Sequence, residues 1–179
     1  MKHRNKILIV DGYNILRSGS RYRHLRESED FTYEVLNRVR EALINDVIAY
    51  MGRDYREAVV VFDAGQNSES EGREERVGGV RVIFSPAGRS ADSVIEKISH
   101  DARERGWEVM VVTSDATIQD TVFGLGVDRM SADGFSREAD LLDEETRQEA
   151  GPVVSRKNTV AGRINADTLR KLEQLRDSM

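Results

Sequence analysis

Short apolar segments alternate with longer amphipathic segments along this chain. Residues 7–10 (I-L-I-V), 58–62 (A-V-V-V-F) and 109–112 (V-M-V-V) are continuous apolar runs that are too short for helices and rich in β-branched residues. Such runs are typical of buried strands. Residues 80–84 alternate apolar and polar side chains, and residues 127–130 are a further short strand candidate. The pattern therefore predicts five strands.

Amphipathic segments lie between these strands. They predict four helices, at residues 31–51, from Ser90 or Asp92 to Gly106, at 117–123 and at 136–149. Asp30 is predicted to cap the first helix and Gly52 to end it. Two polar segments, a basic loop over 17–26 and a long loop over 64–79, carry no regular pattern.

The alternation of strands and helices predicts an α/β fold. Right-handed crossovers would build a central, mostly parallel sheet with helices on both faces, and would bring the carboxyl ends of the strands to one edge. Residues 5–150 form the predicted domain. Residues 151–179 are predicted to be a basic linker and a carboxyl-terminal amphipathic helix, capped by Asn165 or Asp167 and docked on the domain.

Composition narrows the function classes. The chain has 179 residues, a formal net charge of −5 and no cysteine, so disulfides, thiolate metal sites and thiol nucleophiles are excluded. No segment has the apolar length of a membrane span or the pattern of a signal peptide, which predicts a cytoplasmic protein with no membrane partner. The acidic balance argues against binding nucleic acid by bulk charge, although the basic loop could contact phosphate locally.

Acidic residues follow three of the predicted strands. Asp11, Asp63 and Asp115 stand where the strands ending near Val10, Phe62 and Val112 stop. Asp92 and Glu96 form an i, i+4 pair near the start of the second helix, beside the same edge. Each acid also has an ordinary explanation. Asp11 and Asn14 could merely form a turn, Asp92 could be a helix-terminus charge and Glu96 a solvated surface group.

Taken together, the acids indicate a cation. Two carboxylates about 4 Å apart repel by roughly 4 kcal/mol at an effective dielectric near 20, so a converging group needs protons or a metal ion. Mg²⁺ or Mn²⁺ suits an all-oxygen site, and phosphate is the natural partner of such an ion. The chain contains neither a P-loop nor a complete dinucleotide-binding glycine motif. Tyr13 stands where a haloacid-dehalogenase-type phosphatase needs its second Asp, which argues against a phospho-aspartate mechanism.

Four motifs resemble a known family. They are D-G-Y-N at 11–14, F-D-A at 62–64, G-V-R-V-I-F-S-P-A-G-R-S-A-D-S-V-I-E at 79–96 and T-S-D at 113–115. In this order they resemble the YacP-like branch of the NYN domain nucleases. The resemblance covers most of residues 5–150, and the final segment is also similar to the branch's carboxyl-terminal segment. It implies a PIN-like, three-layer α/β fold and a metal-dependent endoribonuclease, of a branch that includes a ribosome-associated enzyme cutting mRNA during translation.

The resemblance also implies roles for particular residues. Asp11, Asp92 and Asp115 would be the catalytic and metal-binding acids, with Mg²⁺ or Mn²⁺ as cofactor. The supporting residues would be Asn14, Asp63, Glu96 and Ser114. Asn14 would fix the first loop or reach a ligand, and Ser114 would either bind a water or satisfy the turn. RNA or partner contacts are also predicted. They are Arg17, Arg21, Arg23, Arg26, Arg73 and Arg76 in the two polar loops, and Arg89 in the S-P-A-G-R turn.

The leading hypothesis is therefore an endoribonuclease that hydrolyses RNA, with mRNA as substrate and the ribosome as a candidate partner. Two alternatives stay open. One is a non-catalytic RNA- or ribosome-binding module with the same fold. The other is a small-molecule phosphohydrolase that uses the same metal site. The oligomeric state is left unassigned.

Overall fold

Six strands form a single sheet at the centre of the computed structural model, which describes residues 5–23, 32–52, 54–65, 72–116, 118 and 126–151. The strands are β1 (Lys6–Asp11), β2 (Glu57–Phe62), β3 (Glu74–Val77), β4 (Val80–Phe84), β5 (Glu108–Val112) and β6 (Val127–Met130). Their order across the sheet is β3-β4-β2-β1-β5-β6. The five predicted strands are all present.

Every pairing is parallel except one. β1 lies between β2 and β5, with Val10 beside Val60 on one side and Val112 on the other. β3 pairs antiparallel with β4 and forms an edge hairpin. The prediction that 64–79 is a loop throughout is therefore wrong, because residues 74–77 form a strand. The polar E-E-R-V segment is mostly exposed, so the apolar periodicity that indicates a strand is missing there.

The described helices are α1 (Gly12–Ser18), α2 (Tyr33–Met51), α3 (Ala91–Glu104) and α4 (Ala132–Ala150), with a short 3₁₀ turn at Ser20–Tyr22. The prediction that residues 17–26 form a loop is thus wrong for most of the residues described there. The cap of α2 is Thr32, whose side-chain oxygen accepts a hydrogen bond from the Val35 N–H, instead of Asp30. Ser90 caps α3, as predicted.

Helix α4 begins at Ala132, four positions before the predicted start at Ser136. Its first turn contains Gly134, and the Gly134 N–H donates to the Ser131 hydroxyl. The glycine and small polar residues of this turn are typical of a loop, so the sequence does not indicate a helix there. Phe135 and Ala139 are nevertheless buried and belong to the apolar face of the helix.

The sheet separates two apolar clusters. On one face, α1, α2 and α4 cover Leu8 and Val10. On the other face, α3 covers Ile7 and Ile9, and Ile95 of α3 is fully buried there. The strands of the sheet centre read as continuous apolar runs because both faces are covered. The predicted α/β architecture, with a central, mostly parallel sheet and helices on both faces, is confirmed.

Some predicted features lie outside the described residues. They are Arg26, Asp30, most of the helix at 117–123 and the carboxyl-terminal helix with Asn165 and Asp167. The chain divides into two compact units, residues 1–145 and 146–179. Within the part of the chain that the structure describes, no helix is long and apolar enough to cross a membrane.

Candidate active site

The neighbouring strands β1 and β5 form a switch point of the sheet, because the segments that follow them cover opposite faces. The segment after β1 enters α1, which packs in the cluster on the face of Leu8 and Val10. The segment after β5 leads to Ile118, which packs in the cluster on the opposite face. In open α/β sheets, the crevice at such a switch point is where ligands bind. Two of the predicted acids, Asp11 and Asp115, lie there.

Asp11 is the last residue of β1 and is only 6% exposed. Burial raises the pKa of its carboxyl group from 3.8 to about 6. A hydrogen bond from the Thr113 hydroxyl to Oδ2, at 3.1 Å, offsets part of this rise, and the carboxylates of Asp92 and Asp115 add to it. A carboxylate that is buried beside two others is unstable unless a proton or a cation joins it.

Asp92 lies in the first turn of α3, half-buried. Burial is the main cause that raises its pKa, followed by the nearby carboxylates of Asp115 and Asp63. The acids from the ends of β1, β2 and β5 and from the start of α3 thus act on one another electrostatically. Glu96 is exposed one turn further along α3 and does not contribute to the shift at Asp11 or Asp92.

The acids interact electrostatically, but their side chains do not form a metal-binding arrangement in this structure. Among the described residues, no three histidine or acidic side chains stand in an arrangement that could hold an ion as they are. The donor set nevertheless fits a hard divalent cation, because it consists of carboxylate oxygens around a buried Asp11. No cationic side chain of the described residues forms an ion pair with Asp11 or Asp92.

Asn14 and Ser114 hold the two strand ends together. The Ser114 N–H donates to Asn14 Oδ1 at 2.7 Å, which ties the first turn of α1 to the end of β5. The Ser114 hydroxyl accepts the Ala132 N–H at 2.8 Å and so fixes the start of α4. Of the roles considered for these residues, the structure shows the positioning ones.

Thr113 is a site residue that the sequence analysis missed. It is fully buried at the end of β5, and its hydroxyl donates to Asp11 while accepting the Asp115 N–H at 3.1 Å. One hydroxyl therefore joins two of the candidate acids. The T-S-D motif contains this residue, but a hydroxyl-to-carboxylate contact across 102 positions has no local signature.

Gly12 is required by close packing. Its backbone is not in the left-handed region, and a Cβ added there would lie 2.4 Å from two ring carbons of Phe62. Glycine is therefore needed at this position for space and not for an unusual backbone conformation. The glycine lets α1 start next to the Phe62 ring at the end of β2. The centre of this ring lies 5.1 Å from the centre of the Tyr13 ring, and the two rings are tilted by 56°.

Arg21, a predicted RNA contact, lies in a network of ion pairs instead. Its guanidinium binds both oxygens of Asp46 at 2.8 and 2.9 Å, and it also pairs with Asp140 and Asp143 of α4. The Tyr22 hydroxyl donates to the same Asp46, and burial raises the pKa of this hydroxyl. These bonds fasten α2 and α4 to the 3₁₀ turn. The three carboxylates also neutralise the guanidinium, which argues against an RNA contact at Arg21.

The other predicted basic contacts that the structure describes are on the surface. The exposed side chains are those of Arg17, Arg23, Arg73, Arg76 and Arg89. Arg73 pairs with Glu75 at 2.8 Å, both on the edge hairpin. Arg89 lies in the turn just before α3 and therefore nearest in sequence to Asp92. Their contact with RNA stays a prediction.

Two arginines that the sequence analysis did not select also lie at this edge. Arg40 of α2 stands over the rings of Tyr13, Phe62 and Phe84, with its Cζ atom 5.3 to 5.6 Å from the ring centres. It donates to the Tyr13 hydroxyl, while its Nε is buried without a hydrogen-bond partner among the described residues. Arg129 of β6 donates from Nε to the Thr113 carbonyl at 3.3 Å.

The strand order, the two covered faces and the acids at the switch point are those of a PIN-like α/β protein. This class of protein includes metal-dependent nucleases. The YacP-like NYN domain family matches residues 8–177, and the chain belongs to this family. It is 27% identical to the protein YacP of Bacillus subtilis strain 168 over 172 residues, which is 95% of this chain and 96% of that protein.

Solved structures agree with this assignment. The crystal structure of Rae1 (YacP) from Bacillus subtilis is similar with a TM-score of 0.63 and 27% sequence identity, over 96% of this chain and 94% of the other. A tryptophan-to-leucine mutant of the same protein gives the same TM-score and identity over 86% of each chain. The predicted family and fold are therefore confirmed.

Proposed function

We propose that this protein is a metal-dependent endoribonuclease that hydrolyses RNA phosphodiester bonds. The observation that carries the proposal is the buried Asp11, with Asp92 and Asp115 as its electrostatic neighbours at the switch point. Membership in a family of PIN-like nuclease folds supports the same chemistry.

The acids would hold Mg²⁺ or Mn²⁺, with Asp11 as the buried ligand and Asp92 and Asp115 as partly exposed ones. Such an ion, when bound, lowers the pKa of water and stabilises negative charge that develops on a phosphodiester. The protein contributes position. Thr113 orients the Asp11 carboxylate, and the hydrogen bond between Asn14 and Ser114 keeps the ends of β1 and β5 in register.

In the proposed reaction a water oxygen forms a bond to phosphorus and the P–O3′ bond breaks. The 3′-oxygen leaves as a hydroxyl, so the products carry 5′-phosphate and 3′-hydroxyl ends and the ribose 2′-hydroxyl takes no part. This separates the proposed reaction from metal-independent RNA cleavage through a cyclic phosphate. End-group analysis of the fragments therefore tests the reaction type independently of its rate.

The direct experiment is cleavage of a labelled single-stranded RNA with Mg²⁺ or Mn²⁺, by the wild-type protein and by the Asp11→Asn and Asp92→Asn variants. Both substitutions keep the side-chain shape and remove a carboxylate. The matched control is Asp54→Asn, an exposed Asp at the opposite edge of the sheet. We expect loss of cleavage in the two site variants and normal cleavage in the control. Full activity of an Asp11→Asn, Asp92→Asn double variant would refute the site.

Cleavage of nucleotides but not of RNA would instead indicate a small-molecule phosphohydrolase. RNA binding without metal-dependent cleavage would indicate a non-catalytic binding module. Both outcomes are read from the same protein preparation.

We further propose that the substrate is mRNA and that the ribosome presents it. The net charge of −5 gives little general attraction for a polyanion, so a partner that already holds the RNA would supply affinity that the chain lacks. Sedimentation of the Asp11→Asn variant with translating ribosomes tests this point. Equal cleavage of free and ribosome-bound mRNA by the wild-type protein would contradict it.

A further inference from the structure

Arg129 is an exposed cation beside the acidic site. It belongs to β6, at the edge of the sheet, and its register partner is Val111 of β5. Its Nε donates to the carbonyl oxygen of Thr113, and the hydroxyl of the same Thr113 donates to Asp11. One buried residue therefore links this guanidinium to the buried candidate ligand.

The end of the β5–β6 ladder explains why the Thr113 carbonyl accepts from a side chain. The Thr113 N–H still pairs with the Met130 carbonyl at 2.9 Å, but the next donor on that side, the Ala132 N–H, is taken by the Ser114 hydroxyl. Arg129 fills the vacant donor position with Nε alone. The two terminal nitrogens of the guanidinium are not needed for this hydrogen bond.

The electrostatic surroundings leave that charge unsatisfied. Arg129 forms no ion pair with any described residue, whereas Arg21 and Arg81 are each held by two or more carboxylates. A guanidinium presents a planar fork of donors that matches two phosphate oxygens. An RNA strand that enters an acidic crevice needs such a cation, because the carboxylates repel its phosphates.

We propose that Arg129 contacts a backbone phosphate of the RNA next to the reacting phosphodiester, and so fixes the path of the strand across the ends of β5 and β6. The proposal rests on the ribonuclease function proposed above. It assigns a substrate-binding residue on β6, a strand that carries none of the basic residues predicted from the sequence. A phosphate contact carries no base information, so its contribution is the same for different RNA sequences.

The experiment measures RNA binding apart from cleavage. Fluorescence anisotropy with labelled oligo(U) and oligo(A) compares Asp11→Asn with the double variant Asp11→Asn, Arg129→Gln over a range of KCl concentrations. One lost phosphate contact makes the slope of log affinity against log salt less steep by about 0.7 for single-stranded RNA. We expect this change with both oligonucleotides, and weaker binding by about tenfold at low salt. Arg129→Lys, which keeps the charge but lacks the planar fork, is expected to restore the salt slope and only part of the affinity.

The control is Arg103→Gln in the same background. Arg103 is also exposed and lies in the last turn of α3, just before β5 begins, at the amino ends of the strands and away from the acids. An unchanged salt slope in the Arg129→Gln variant, or an equal change in the control, overturns the proposal. A lower thermal stability with normal RNA affinity would show that Arg129 only anchors the Thr113 carbonyl, and overturns it too.

Cleavage by the wild-type background separates the two proposals. If wild-type protein does not cleave RNA but the salt slope still falls on loss of Arg129, the nuclease function fails and the phosphate contact stands. If wild-type protein cleaves RNA and Arg129→Gln leaves the KM and its salt dependence unchanged, the nuclease function stands and the phosphate contact fails.

Discussion

The Asp11→Asn substitution is expected to stabilise the metal-free protein, by an amount that depends on pH. The pKa of the Asp11 carboxyl is raised from 3.8 to about 6 in the folded protein. Because the folded state holds the proton more tightly than the unfolded chain, the stabilisation from protonation is present at low pH and is lost as pH rises from about 4 to about 6. At pH 7 the charged carboxylate costs about 3 kcal/mol, at ~1.4 kcal/mol for each pKa unit.

Asparagine keeps an oxygen that accepts the Thr113 hydroxyl but does not titrate. The free energy of unfolding of the variant is therefore expected to exceed that of the wild type by about 2 to 3 kcal/mol more at pH 7 than at pH 4. Urea unfolding with EDTA present measures it, followed by the fluorescence of Trp107, the single tryptophan of the chain. An equal difference at both pH values would refute the reasoning.

Asp63→Asn is the matched control for this measurement. Asp63 also follows a strand at the same sheet edge, but it is exposed, and its Oδ1 accepts the Gly65 N–H at 2.8 Å, a bond that asparagine can keep. We expect a smaller change with pH in this variant than in Asp11→Asn, because Asp63 is exposed whereas Asp11 is buried.

Three further predictions concern binding and packing. Saturating Mg²⁺ at about 100 times its Kd is expected to raise wild-type stability by about 2.7 kcal/mol and to have little effect on Asp11→Asn, which a thermal shift assay measures. Ser99→Ala is expected to raise stability by about 1 kcal/mol, because the Ser99 hydroxyl is buried without a partner among the described residues. The matched Ser136→Ala is expected to lower the stability by a similar amount, because the Ser136 hydroxyl donates to the Ala132 carbonyl at 2.9 Å. Denaturant unfolding measures both variants, and equal effects of the two substitutions would contradict this prediction. Gly12→Ala is expected to cost about 1 to 3 kcal/mol through its clash with Phe62, and an unchanged unfolding midpoint would disprove the contact.

The central strands could be predicted because burial on both faces leaves a direct record in the sequence. Residues 7–10 and 58–62 are uninterrupted apolar runs, and they occupy the middle of the sheet. β3 leaves no such record, since its register partners in β4 hold it by backbone hydrogen bonds while its side chains stay largely exposed. Helix α1 was missed for another reason, because a helix that starts directly after a strand has no separate cap signal.

The acids of the site could be predicted as a set, and their supports could not. The strand ends share one edge whatever the details of packing, so Asp11 and Asp115 were expected to be neighbours. The bond from Thr113 to Asp11 and the position of Arg129 depend on which strands are adjacent in the sheet. That information lies in the pairing of β1 with β5 and of β5 with β6, across about a hundred and about twenty residues, and not in any local motif.

Arg21 has partners that the sequence does not reveal. A basic stretch next to a predicted site invites a ligand-binding interpretation, but the pattern of charges on α2 and α4 decides the outcome. Asp46 and Asp143 become its partners only when both helices pack on the same face of the sheet. Among the described residues of this basic stretch, Arg21 pairs with carboxylates of the same domain, whereas Arg17 and Arg23 are exposed.

The pairing of β1 with β5 also sets the order in which the protein becomes functional as it is made. The first strand leaves the ribosome early, but it lacks its β5 neighbour, and therefore Thr113 and Asp115, until more than a hundred further residues have been translated. A nascent chain thus carries Asp11 for most of its synthesis without the groups that would complete the acidic site. If the protein cleaves mRNA as proposed, its own message is protected from the growing chain until the fifth strand has emerged and joined the first.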